Sequence, residues 1–248
     1  HIAESSLDVF SFFSASQYAS EQVDDGTGTG NTEARFSCNV VLNSQRAAYD
    51  TINNLASVMR AMPFYSAGAV NISCDKPTDP SYIYNLSNVS ESGFAYSSAS
   101  KDTKITVVNV SYFDNETQEV DYETVEDTAL QAKYGIVTKN LNGFACTSRG
   151  QAARLGRWYL YTQNREAETV TFTASLESGT IVRVGTVINI ADPMRAGVRR
   201  GGRVKTGVST TQIIVDDQTN TDLATTGSAT LSVILSDGTL ETKTISSV

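Results

Sequence analysis

Histidine is almost missing from this chain: the only one is His1, at the first position. A mechanism that needs an imidazole base or a histidine metal ligand therefore has no supplier. Ser-His-Asp and Cys-His arrangements and most zinc sites are removed at once. Cysteine is scarce as well. Cys38, Cys74 and Cys146 are odd in number, widely spaced and form no CxxC pair. Neither a disulfide framework nor a zinc site is expected, and the three read as small buried residues in a reducing cytosol. No run approaches the roughly 20 apolar residues that cross a bilayer. Leu7 to Phe13 is too short, and too polar in its flanks, for a secretory segment. A soluble chain without membrane insertion is expected. Basic residues are in deficit, 19 Lys and Arg against 27 Asp and Glu, and the net charge of −8 argues against a general nucleic-acid binder. His rather than Met stands first, so the sequence is expected to begin inside a longer polypeptide or to carry a leftover tag residue.

What is present is a globular composition. With 248 residues, 40% of them hydrophobic, the chain can bury a sizeable core in one or two domains. Residues 35–42 read as a strand, with Asn43 or Ser44 as an N-cap for the helix that follows. In that helix Ala48, Ile52, Leu55, Met59 and Met62 make one apolar stripe, ended by Pro63. Residues 64–73 read as a hairpin around Ala67-Gly68. Two of the four prolines fall in Lys76-Pro77-Thr78-Asp79-Pro80, a turn or lobe boundary. Residues 82–100 read as an extended, irregular connection, and 104–114 as a central strand covered on both faces.

Ser148 and Gln151 stand in the S-x-x-Q spacing of a capping box. The helix they open has Ala152, Leu155, Trp158, Tyr159 and Thr162 on one side, with Arg154, Arg157 and Arg165 flanking the other. Trp158 reads as a core anchor, and the arginines as a solvated face or a subunit contact. From residue 169 to 176, Val170, Phe172, Ala174 and Leu176 alternate with Thr and Ser, the pattern of a half-buried strand. Short strands without helices are expected at 181–190, 202–208, 212–216, 229–235 and 239–245. The expected architecture is α+β: an α+β lobe over residues 1–80, a second over 81–176, and a small antiparallel β-barrel-like domain over 177–248 that shares the strand at 168–176.

Candidate chemistry is thin. The acidic pairs Asp24-Asp25, Glu126-Asp127 and Asp216-Asp217 could serve glycoside hydrolysis, but they sit respectively at a Gly/Thr turn, the start of a short helix and a strand end. Gly26-Thr27-Gly28-Thr29-Gly30 lacks the GK[ST] ending of a phosphate loop and reads as a flexible loop. Arg199-Arg200-Gly201-Gly202-Arg203 resembles an RGG motif, yet a single copy in a β domain reads as a hairpin. The sequons at Asn71, Asn85, Asn88, Asn109 and Asn115 read as chance, unmodified matches. No catalytic, cofactor-binding or metal-binding residues are expected.

The segment Gly143-Phe144-Ala145-Cys146-Thr147-Ser148-Arg149-Gly150-Gln151-Ala152-Ala153-Arg154-Leu155-Gly156-Arg157-Trp158 resembles the GCTSRGQAxRLGRW-type signature of the tip-attachment, or host-specificity, protein J family of long-tailed phages. The resemblance extends to Thr32–Asn39, to Val125-Glu126-Asp127 with Lys133-Tyr134-Gly135, and to Ala191-Asp192-Pro193 with Gly201-Gly202-Arg203. It implies a fragment of a homotrimeric tail-tip hub in the virion, assembled in the bacterial cytoplasm and acting in host attachment and genome delivery. The hub would contact other tail-tip proteins and the tail tube, and phage DNA would pass through without specific binding. A complete family member would also carry a far longer N-terminal part and later receptor-binding segments, through which the host receptor would be met. Ser148, Gln151, Arg154, Arg157, Trp158 and Arg203 are the structural or interface candidates. The alternative is a carbohydrate-binding or wall-degrading module of the tail tip.

Overall fold

A computed structural model describes residues 4–26, 28, 30–43, 47–98, 104–115, 117–166, 168–196, 202–205, 209, 211–214 and 229–245. The chain is α+β. A short 3-10 helix (Glu4–Ser6) precedes α1 (Val9–Ser20), β1 (Gln22–Asp24), β2 (Thr32–Ala34), α2 (Ala48–Val58), β3 (Ala61–Ser66) and β4 (Ala69–Cys74). Next come β5 (Tyr82–Asn85), β6 (Ala95–Ser98), β7 (Val107–Asp114), β8 (Glu119–Glu126), α3 (Thr128–Tyr134), β9 (Thr138–Asn142) and α4 (Arg149–Arg165). The last elements are β10 (Glu168–Thr171), α5 (Leu176–Ile181), β11 (Ile188–Ala191), α6 (Pro193–Ala196), β12 (Ala229–Ile234) and β13 (Leu240–Ile245).

Contacts divide the chain into two units that are discontinuous in sequence: His1–Asp75 with Ser98–Thr169, and Lys76–Ser97 with Val170–Val248. This grouping differs from a consecutive division at residues 80 and 176, because the early hairpins and α4 fall in one unit. The proline-rich span at 76–80 does begin the second unit.

In the first unit, β7 is the middle of a three-stranded sheet, antiparallel to β8 and parallel to β9. Val108, Val110 and Tyr112 alternate onto one face of β7, where they pack with Cys146, Ala152 and Leu160. The valines are fully buried, and each contributes roughly 1.5–3 kcal/mol of apolar burial. The second face is covered only in part, against the expectation of two covered faces: Val107 at its start is buried. Asn109 and Ser111 lie on the other face and bond polar neighbours on β8 and β9, and Phe113 is 40% exposed. Helix α4 crosses β7 and β8. A methyl group at Gly156 would come within 2.8 Å of the Val125 side chain, so glycine sets how closely helix and sheet approach.

Several local expectations change. Residues 36–43 form no strand, because Ser37 and Asn39 give their backbone N–H groups to Gln151 and Ala145 instead of to a ladder. Helix α2 begins after Ala47, which supplies no side-chain cap, and ends at Val58, before Pro63. The chain turns at Arg60, in the left-handed region at φ 54, and Met62 and Pro63 enter β3. The β3–β4 hairpin closes on Ala67 and Gly68, both with positive φ, which matches the strand twist. Cys38 is exposed, whereas Cys74 is half-buried and Cys146 buried.

In the second unit, β5 runs parallel to β11, so residues 82–98 are ordered structure and not a mere connection. Tyr82 and Tyr84 are buried, and Tyr84 packs at a tilt against Phe172, which meets Phe94 edge-on. The alternation at 169–176 forms a strand only as far as Thr171. Leu176 is 90% exposed and opens α5; of residues 181–190, Ile181 ends α5 and 188–190 enter β11, with turn and coil between them. Helices α5 and α6 therefore interrupt what reads as an all-strand region. Strands β12 and β13 pair as expected, and Lys205 N–H reaches the Ile214 carbonyl at 2.8 Å. No closed barrel is formed among the described residues. Asp216, Asp217, Arg199 and Arg200 lie outside them.

Candidate functional site

The signature segment builds one polar node inside the first unit. Ser148 is the N-cap of α4, and its Oγ accepts the Gln151 N–H at 3.3 Å. The same hydroxyl donates to Glu33 of β2 at 2.5 Å. The other Glu33 oxygen pairs with Arg154 at 2.7 Å, so one carboxylate ties the start of α4 to its second turn. Gly150 makes this approach possible: a methyl group there would run into the Asp25 carbonyl and Glu33.

Gln151 departs from the capping-box geometry. Its Oε1 accepts from both the backbone N–H and the hydroxyl of Ser37, at 3.0 and 2.9 Å, and its Nε2 donates to the Ser37 carbonyl at 3.1 Å. The side chain is 5% exposed, and it acts as a short strand partner for a coil that has no ladder of its own. Arg154 is likewise turned inward. Besides Glu33 it donates to the carbonyls of Asp24 and Arg35, at 3.1 and 3.2 Å, so its cation is occupied within the chain. Arg157 is exposed, and its side chain makes no hydrogen bond or ion pair with another described residue.

Trp158 is half-buried, not a core anchor. Its indole N–H donates to Asp75 at 2.5 Å, while the Arg60 guanidinium lies 5.2 Å from its ring and 5.2 Å from that of Phe36. Burial lowers the Arg60 pKa, opposed by the charges of Tyr18 and Asp75. Arg60 also donates to the Arg154 carbonyl at 3.1 Å. Arg203, in the second unit, donates to the Ser87 carbonyl at 2.8 Å. The structure thus brings together Ser148, Gln151 and Arg154 and adds Glu33, Ser37 and Arg60. The one acid within Thr32–Asn39 was the sequence signal for Glu33.

The surroundings offer little chemistry. A cavity of about 390 Å³ is lined by Phe36, Arg60, Met62, Phe144, Leu155 and Trp158 among others, and a second of about 320 Å³ by Val40, Val41, Phe113, Val120 and Phe144 among others. Neither is lined by a carboxylate. Burial pushes the Cys146 thiol up in pKa, which keeps it protonated and unreactive. Asp24 caps its own turn by accepting the Gly26 N–H at 2.6 Å, and Asp127 is the N-cap of α3, accepting from Leu130 at 3.0 Å. No cluster of His, Cys, Asp and Glu suited to a metal ion occurs among the described residues, and no helix among them is long and apolar enough to cross a membrane.

A family model described as "Putative phage tail protein" matches residues 47–204. A protein named tip attachment protein J from Escherichia phage SECphi27 is 37% identical over 187 residues, covering 75% of this chain and 15% of the relative. Another of the same name, from Escherichia phage SECphi4, is 26% identical over 246 residues, covering 98% of this chain and 21% of the relative. The chain therefore spans about a fifth or less of the length of these relatives. These matches identify the chain as a member of the phage tail protein family that includes tip attachment protein J.

Proposed function

We propose that this chain is a structural segment of a longer tail-tip polypeptide, placed in the virion as part of a homotrimeric hub that contacts other tail-tip proteins and the tail tube. In this reading it supports host attachment and genome delivery mechanically. Phage DNA passes without specific binding, the host receptor is met through other parts of the polypeptide, and assembly takes place in the bacterial cytoplasm. No catalytic step is assigned to it. The observation that carries the reading is how the signature is used: Ser148, Gly150, Gln151 and Arg154 all serve intrachain contacts that fasten segments more than 100 positions apart. Large apolar side chains stay uncovered on the same unit, among them Phe10, Val41, Tyr65 and Ile136, as suits a piece of a larger assembly. The barrel-like arrangement of residues 177–248 belongs to the same proposal and rests on the β12–β13 pair and the Lys205–Ile214 contact. A carbohydrate-binding or wall-degrading module is disfavoured by cavities without carboxylates.

The test is localisation. Antibody fragments raised against this chain should decorate the distal tip of negatively stained virions. Decoration along the tail tube or on the capsid, or none on intact particles, would contradict the assignment.

A further inference from the structure

The sheet β8-β7-β9 ends on two open edges among the described residues. Strand β8 runs for eight residues without proline, glycine or a bulge, and shows Val120 and Tyr122 at 62% and 64% exposure. An edge this long and regular is a template for another strand. The two edges differ in charge, and the register shows that the difference lies on one face. In β8, Glu119, Asp121 and Glu123 stand opposite Asp114, Tyr112 and Val110. In β9, Lys139 stands opposite Val108. Because Val108, Val110 and Tyr112 face the core beneath α4, the three acids and Lys139 all belong to the α4 side of the sheet.

We propose, building on the hub reading above, that the open edge of β8 in one copy pairs with the open edge of β9 in a second copy of this chain, continuing the sheet between subunits. Charge selects this pairing. Two β8 edges brought together would oppose six acids face to face, and two β9 edges would oppose their lysines, whereas β8 against β9 sets Lys139 beside the Glu119–Asp121 row. Glu123 already holds Arg149 at 2.7 Å; Asp121 accepts the Tyr112 hydroxyl but keeps its charge, so Glu119 and Asp121 are the acids that meet the lysine. Unlike edges make a heterologous contact, the type that closes into a ring when the rotation fits. On the opposite face, Val120 and Tyr122 would be covered by the neighbour's Thr138 and Asn140 side of β9.

The experiment is zero-length carbodiimide cross-linking of the full-length polypeptide, assembled from a mixture of isotopically light and heavy chains. A light–heavy peptide joining Lys139 to Glu119 or Asp121 is expected in the trimer. A trimer in which Lys139 is linked only within its own chain, or not at all, overturns the edge pairing and leaves the hub reading intact. Absence of any trimer overturns both. Lys139→Glu gives an independent readout, since it is exposed and should leave the melting of the 248-residue chain unchanged while weakening trimer association about tenfold. An undiminished trimer would overturn the proposal.

Discussion

Ser148 donates its hydroxyl to Glu33 at 2.5 Å while accepting the Gln151 N–H on the same oxygen, joining residues 115 positions apart at the start of α4. Ser148→Ala removes the cap and leaves a half-buried carboxylate short of a donor. Destabilisation of about 2 kcal/mol is expected from the two losses together. Urea unfolding should show a lower midpoint at unchanged slope; a midpoint equal to the parent's would mean that the cap is not used.

Gly150 and Gly179 make a matched pair. A side chain at Gly150 meets the Asp25 backbone and Glu33, whereas nothing lies within 4 Å at Gly179, in the middle of α5. Gly150→Ala should cost about 3 kcal/mol through overpacking. Gly179→Ala should be neutral or stabilise by about 0.5–1 kcal/mol through helix propensity. Thermal melts of the two variants check the contrast, and equal losses would contradict the close approach.

Gln151→Ala should release residues 36–43 without melting α4, since three of the four hydrogen bonds involving its backbone N–H and side chain go to Ser37. Faster hydrogen exchange at the Ser37 amide, with amides in the middle of α4 still protected, is the expected outcome. Protection lost across both would mean that the coil and the helix open together.

Tyr112 is held protonated. Burial, then its hydrogen bond to Asp121, raises its pKa to about 12 from the ordinary 10.0. The folded state binds this proton more tightly than the unfolded state does, so the contribution to stability is fully present below pH 10. It is lost as pH rises from 10 to 12. At full burial the loss would be on the order of 2–3 kcal/mol, and less here because the hydroxyl reaches toward exposed β8. Tyr112→Phe should flatten the fall in stability across that window, measured by denaturant midpoints. A fall as steep as the parent's would assign it to other groups.

Much of this was legible where local rules decide the outcome. Ser148 as a cap, Asp127 at the start of α3, the Ala67-Gly68 turn and the central place of β7 all follow from spacing and residue type. What escaped was set by distant partners. Gln151 carries the right spacing for a box, but a coil segment more than 100 residues away claims its amide. Arg154 sits on a helix face that reads as solvated until Glu33 and two carbonyls close around it. Leu176 fits the alternation of a strand, yet the chain turns into α5 there. Periodicity describes one element at a time and is silent about which segment will supply the missing hydrogen bonds.

The central claim, that this chain is part of a threefold hub, is tested most directly by the mass of the full-length polypeptide at micromolar concentration, by mass photometry. A single species at three times the chain mass is predicted. A monomer or a dimer as the sole species would contradict the account.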